Sequence, residues 1–176
     1  MFKLALCAGH GKNTSGKRCL KTIDKNETRE WVLNSRICEK LQKKLTDFDG
    51  IEIKRMDDVS GKTDIALSTR TKTANLWGAD LYLSIHHNAG IKGGEGGGIV
   101  AFTYQKVDDE TKDWQKEFYD ALIDKTGLNG DRAVPLATKN LAVCRDTAMP
   151  AVLLELGFMD SKTDTPIILT EEFAEK

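Results

Sequence analysis

The sequence predicts an α/β fold, a single domain with a twisted, mostly parallel sheet flanked by helices on both faces. Two observations carry that prediction. Short apolar runs alternate with amphipathic stretches along the chain, the order that βαβ units produce. The 176 residues are 40% hydrophobic and 30% charged, which suits one globular domain around one buried core.

Taken in order, Phe2 to Ala8 is an apolar run that stops at Gly9-His10-Gly11, a buried strand entering a loop. Residues 11–25, rich in Gly, Ser, Thr and Lys, read as a long surface loop. From Glu30 to Leu45, Leu33, Ile37, Leu41 and Leu45 recur every four residues, an apolar stripe on one helical face that Asn26 or Thr28 would cap. Gly50 to Met56 alternates Ile51 and Ile53 with charged residues, as a strand with one wet face does. Thr63 to Leu76 reads as a second helix and Leu81 to His87 as a strand ending in two histidines. The glycine-dense Gly93 to Gly98 leads into a strand from Ile99 to Tyr104. Asp109 to Lys125 repeats the four-residue spacing in Trp114, Phe118 and Leu122, and Ala151 to Leu156 is a last apolar strand. The sequence closes on Glu171 to Lys176, the opening of a helix too short to stand alone. The chain therefore reads as cut from a longer protein.

Charge and composition exclude several classes. A net charge of -1 and a pI near 6.3 argue against nucleic acid as partner. No run reaches the roughly 18 apolar residues of a membrane helix, so no membrane partner is expected. The first ten residues carry one basic side chain before a very short apolar run that enters His10, unlike a signal peptide. The protein is expected to be made in the cytoplasm without a signal peptide. Cys7, Cys19, Cys38 and Cys144 form no CxxC pair and sit among apolar neighbours, which favours buried thiols over a structural zinc knuckle, with disulfides left open.

The candidate chemistry starts from three histidines, His10, His86 and His87, all at the C-terminal ends of predicted strands, where open α/β sheets assemble their sites. Glu155 lies within Leu153-Leu154-Glu155-Leu156, where a carboxylate must be paired, protonated or metal-bound. An arginine such as Arg145 would satisfy it structurally; the strand-end position favours a functional role. Catalytic zinc commonly takes three ligands from His and Asp/Glu and keeps one position for water.

Four segments in order resemble the zinc-dependent N-acetylmuramoyl-L-alanine amidases, the type often called Amidase_3, found in phage endolysins and bacterial autolysins. They are Ala8-Gly9-His10-Gly11; Glu30 followed four residues later by Asn34; Ser84-Ile85-His86-His87-Asn88-Ala89; and Val152-Leu153-Leu154-Glu155-Leu156-Gly157-Phe158. Arg70 and Asn75 fit a helix pattern of the same family. The resemblance covers residues 3–160, and it implies that residues 1–176 are a catalytic domain cut before a C-terminal wall-binding domain. It implies one Zn²⁺ held by His10, Glu30 and His86, with Glu27 the competitor for the middle ligand, His87 a variable position, and Glu155 as general base then acid. It implies peptidoglycan as the substrate, cut between N-acetylmuramic acid and the stem's L-alanine, outside the cell or at lysis. Two departures stand out: residues 12–25 lack the Gly-Gly and Asp of many members, and Cys144 replaces a common Leu. The competing readings are a zinc peptidase acting within the stem, a wall-binding module without catalysis, and a structural zinc protein, which the scarcity of paired cysteines disfavours. For Asn88 a turn role stands beside orienting His86 or substrate; for Tyr104 and Trp77 core packing stands beside stacking on sugar; and Gly93 to Gly98 either lets a glycan approach or only joins two strands.

Overall fold

Apolar side chains dictate the centre of the sheet. In the computed structural model, which describes residues 1–130 and 133–176, β1 (Phe2–Ala8) and β3 (Leu81–Asn88) are almost wholly buried, the pattern of strands covered on both faces. Between them come α1 (Glu30–Leu45), the shorter β2 (Ile51–Arg55) and α2 (Leu67–Trp77). The chain continues through β4 (Ile99–Thr103), α3 (Asp109–Thr126), β5 (Leu136–Thr138), α4 (Ala142–Arg145), β6 (Ala151–Phe158), α5 (Thr165–Ile168) and α6 (Glu171–Glu175). The six strands take the order β2-β1-β3-β6-β4-β5. All neighbours are parallel except β4, which runs antiparallel to β6.

Strand alternation sends the core to two faces. Leu81, Leu83, Ile85, Leu154 and Leu156 pack with the α1 and α3 stripes, including Ile37, Leu41, Trp114 and Phe118. Tyr82, Leu153 and Ala151 pack on the other face with Ala74 of α2 and with Val143 and Cys144 of α4. Trp77 and Tyr104 join this second cluster, in agreement with the packing reading. All four cysteines are free and buried.

Several elements differ from expectation. Neither Asn26 nor Thr28 caps α1: their backbone N–H groups go to the Asp24 carboxylate at 3.1 and 2.7 Å. The N-cap is Arg29, without a side-chain cap, and the Glu30 N–H instead donates to the Lys17 carbonyl at 3.1 Å. Helix α2 starts at Leu67 because the preceding residues serve other partners: the Thr63 N–H donates to Asp58, and the Ile65 carbonyl accepts from Arg70. The terminal helix α6 has only five residues, yet Thr170 caps it and Phe173 and Ala174 are buried, so packing supplies what helix propensity cannot. Burying an aromatic of this kind is worth about 1.5–3 kcal/mol. The glycine loop has a packing reason. A Cβ on Gly98 would stand 2.6 Å from the Gly130 backbone, and one on Gly97 would stand 2.3 Å from Asp164 Oδ2.

Candidate active site

Three chain segments bring the site together at the C-terminal edge of β1, β3 and β6. Strand β1 delivers His10 two residues past its end, with φ at 66°, a left-handed conformation that costs a non-glycine residue free energy unless neighbours impose it. Arg70 imposes it. From α2 this buried guanidinium donates to the carbonyls of Ala8 and His10 at 3.1 Å each, and to Asp64 Oδ1 at 2.9 Å. Gly9 makes room for the second histidine, since a Cβ there would sit 2.0 Å from the His86 ring.

Glu30 enters from the first turn of α1 and is 1% exposed. Its Oε1 lies 3.0 Å from His86 Nδ1 and its Oε2 3.4 Å from His10 Nε2. The two imidazoles meet edge to face with centroids 5.0 Å apart. One donor atom from each of His10, Glu30 and His86 falls within 4.8 Å of the others. Burial alone would raise the Glu30 pKa, but hydrogen bonds from His10 and His86 outweigh it and hold the carboxyl well below its usual range. For His86 burial wins over the Glu30 contact, so its pKa falls and the ring is biased towards the neutral form a metal needs.

Glu155 stands beside this trio by strand register: it is the direct partner of His86 across the β3–β6 pair. Its alternation matches Leu153, which sends it to the sheet face of His86. Burial first, and the Glu30 charge second, push its pKa up to about 8. Its Oε2 is buried and has no hydrogen-bond partner among the described residues. Arg145 does not satisfy it; that side chain is engaged with Asp146 at 2.7 Å and Asn140 at 2.7 Å. Arg145 is therefore not the partner of Glu155.

The donor set can be tested against a metal. Two imidazoles and one carboxylate suit a divalent ion of the zinc type. Glu30 Oε2 is buried and meets His10 Nε2 and the Lys17 ammonium only at 3.4 and 3.7 Å, loose contacts for a buried carboxylate oxygen that an ion would replace. Glu27, the competing ligand, is turned away and pairs with Arg18 at 3.2 Å and Lys21 at 3.6 Å. The residues present fit a His-Glu-His metal site.

A family model described as N-acetylmuramoyl-L-alanine amidase matches residues 4–176. The chain belongs to that family. It is 32% identical over 176 residues to the sporulation-specific N-acetylmuramoyl-L-alanine amidase of Bacillus subtilis (strain 168), covering 98% of this chain and 62% of the relative. The endolysin of Bacillus phage SPP1 is likewise 32% identical, over 98% of this chain and 61% of its own length. The chain thus spans less than two thirds of either relative. Among solved structures, an N-acetylmuramoyl-L-alanine amidase from Clostridium difficile 630 superposes with a TM-score of 0.86 at 26% identity, over 99% of this chain and 89% of that one.

The remaining polar residues of the motifs find supporting places. Asn34 lies one turn after Glu30 on the same helical face, and its Nδ2 donates to the Gly9 carbonyl at 3.2 Å. That fixes Asn34 Oδ1 as the acceptor for His87 Nδ1 at 2.8 Å, so His87 carries its proton on Nδ1. Burial drives the His87 pKa down to about 3, so it is a neutral core residue outside the trio. Asn88 Oδ1 accepts from the Ala89 N–H at 2.8 Å, a turn role. Asn75 bridges α2 to the segment after α4 through Ala148 and Asp146. The sequence reading passed over Lys17, whose ammonium stands 3.7 Å from Glu30 Oε2; only the fold brings the surface loop to the helix start.

Proposed function

We propose that this chain is a zinc-dependent N-acetylmuramoyl-L-alanine amidase, a peptidoglycan hydrolase that cuts the amide between N-acetylmuramic acid and the L-alanine of the stem peptide. The observation that carries the proposal is the pairing of His86 with Glu155 in register, which sets a high-pKa carboxyl beside a His-Glu-His donor set. His10, Glu30 and His86 would hold the zinc. When bound, the ion supplies Lewis acidity that polarises the scissile carbonyl and acidifies water.

The chain's own residues account for the proton traffic. Glu155, as carboxylate, takes the proton of the attacking water on an oxygen that no other described group occupies. It then delivers that proton to the leaving nitrogen of L-alanine. A group with its pKa near the working pH can do both, and such help is typically worth about 10² to 10⁴ in rate. Arg70 and Asn34 hold the His10 and Gly9 carbonyls in place, so they orient the donor set. The cell wall is the expected site of action.

The test is release of dye-labelled fragments from purified peptidoglycan, with and without a chelator, with products read by mass spectrometry. Free stems beginning with L-alanine, lost with chelator and restored by zinc, are the expected products. Glu155→Gln should bind zinc normally and lose turnover by at least a hundredfold. Cleavage inside the stem would move the bond to a peptidase, and bound zinc with no cleavage would leave a wall-binding module.

A further inference from the structure

The Lys17 side chain lines a cavity that Glu155 also lines, and the reaction as described gives its ammonium no task. Lys17 lies in the loop that departs from the family pattern. Its backbone is fixed: its carbonyl accepts the Glu30 N–H at 3.1 Å, and its neighbour Arg18 forms a β-bridge with Arg29. The root of the side chain is therefore held at the start of α1. Its side chain is 44% exposed and lines a cavity of about 310 Å³ together with Glu155, Asn88, Ala89 and Met159. Its nearest anion, Glu30 Oε2 at 3.7 Å, is already claimed by His10. A divalent ion on Glu30 would repel the ammonium into the cavity, because two cations compete for one carboxylate.

Resting on the amidase reading above, we propose that Lys17 is a specificity-determining residue that binds a carboxylate on the stem-peptide side of the scissile amide. The chemistry of the substrate selects that side. Once the lactyl carboxyl is tied up in the amide, the N-acetylated sugar offers no charge near the bond, whereas the stem residues carry free carboxyl groups. An ammonium in a half-buried cavity distinguishes a carboxylate from the isosteric carboxamide by charge. The site thus favours stems with a free acid over stems in which that acid is amidated.

The test uses two soluble muropeptides, identical except that the second stem residue carries a free carboxylic acid in one and a carboxamide in the other. With the zinc-loaded protein, kcat/KM is expected to favour the acid by roughly three- to tenfold, mostly through KM, a range between exposed and partly buried charge pairs. Lys17→Ala should bring the two substrates to the same value, and Lys17→Arg should restore part of the preference. A preference that survives Lys17→Ala overturns the proposal. So does a fall in kcat of equal size on both substrates, which would make Lys17 a contributor to the reaction step. Calorimetric binding of both muropeptides, to the wild type and to Glu155→Gln, separates this from failure of the amidase reading. If wild-type protein cleaves neither compound, equal affinities still overturn the Lys17 assignment, while an acid preference abolished by Lys17→Ala keeps it and fells only the reaction.

Discussion

The first turn of α1 presents one buried glutamate to the site and strand β6 one half-buried glutamate, and the chain treats them in opposite ways. Glu30 is surrounded by donors: both imidazoles, the backbone N–H of His87 at 3.3 Å and, further out, Lys17. Glu155 is flanked along its strand by Leu154 and Leu156 and has one oxygen without any hydrogen-bond partner among the described residues. Glu30 is held ionised and Glu155 is biased towards its protonated form. One carboxyl is thereby suited to holding a cation and its neighbour to carrying a proton, from the same residue type. The difference teaches that role follows from the number of donors at hand, as the general rule of divergent pKa values in one site requires.

The comparison is most sharply broken by exchanging charge for amide at each position. Glu30→Gln is expected to lower zinc affinity by more than about a hundredfold, since losing mere supporting contacts to ligands already costs 10- to 100-fold. Glu155→Gln should leave the affinity within a few-fold of wild type. Equal losses, read by competition with a chromogenic chelator, would end the division of labour.

Next in size is Gly9→Ala. A Cβ that meets the His86 ring at 2.0 Å must displace either the strand end or the ring, at a cost of about 1–3 kcal/mol. Weaker zinc binding and a melting temperature lower by several degrees should follow, with the Glu155 side of the site unaffected. Unchanged zinc affinity would show that the ring has another place to go.

The smallest effect concerns the pH dependence of the metal-free protein. The Glu155 pKa in the fold, about 8, lies above its ordinary value of 4.5, so folding favours the protonated form. That contribution is fully present below about 4.5 and is lost as pH rises through 8. Glu30, with its pKa depressed, contributes stability above 4.5 that is lost as pH falls through its lowered value. The melting temperature of Glu155→Gln should therefore exceed that of wild type increasingly from about pH 5 to pH 8, measured without metal. Parallel curves would contradict the burial argument.

The sequence made the frame of the molecule legible where periodicity is strong. Helix α1 runs over the predicted residues Glu30–Leu45, and β1 over Phe2–Ala8, because each has a continuous apolar pattern. Strand β5 has three residues and α4 only four, too few to carry any period, and both went unread. The direction of β4 was also hidden, since an apolar strand reads the same in either orientation. Within the site, Glu155 announced itself as a charge in an apolar strand and the histidines by their strand-end places, while Glu30, and the choice of His86 over His87, came from the resemblance. Arg70 and Lys17 act through contacts with residues 60 and 13 positions away, and no local pattern reveals such partners.

The reversed β4 bears on how such a domain diversifies. Because β4 begins beside Leu156 and β3 ends beside Phe158, the chain between them leaves and re-enters the sheet at one edge without crossing a face. Residues 89–98 therefore form a border of the cleft with no helix to carry, anchored by Asp160, which accepts the N–H groups of Gly90 and Lys92 at 2.8 Å each. Added length there would enlarge the wall of the cleft while leaving every strand pairing intact, a route by which related hydrolases can change what they grip without re-evolving how they cut.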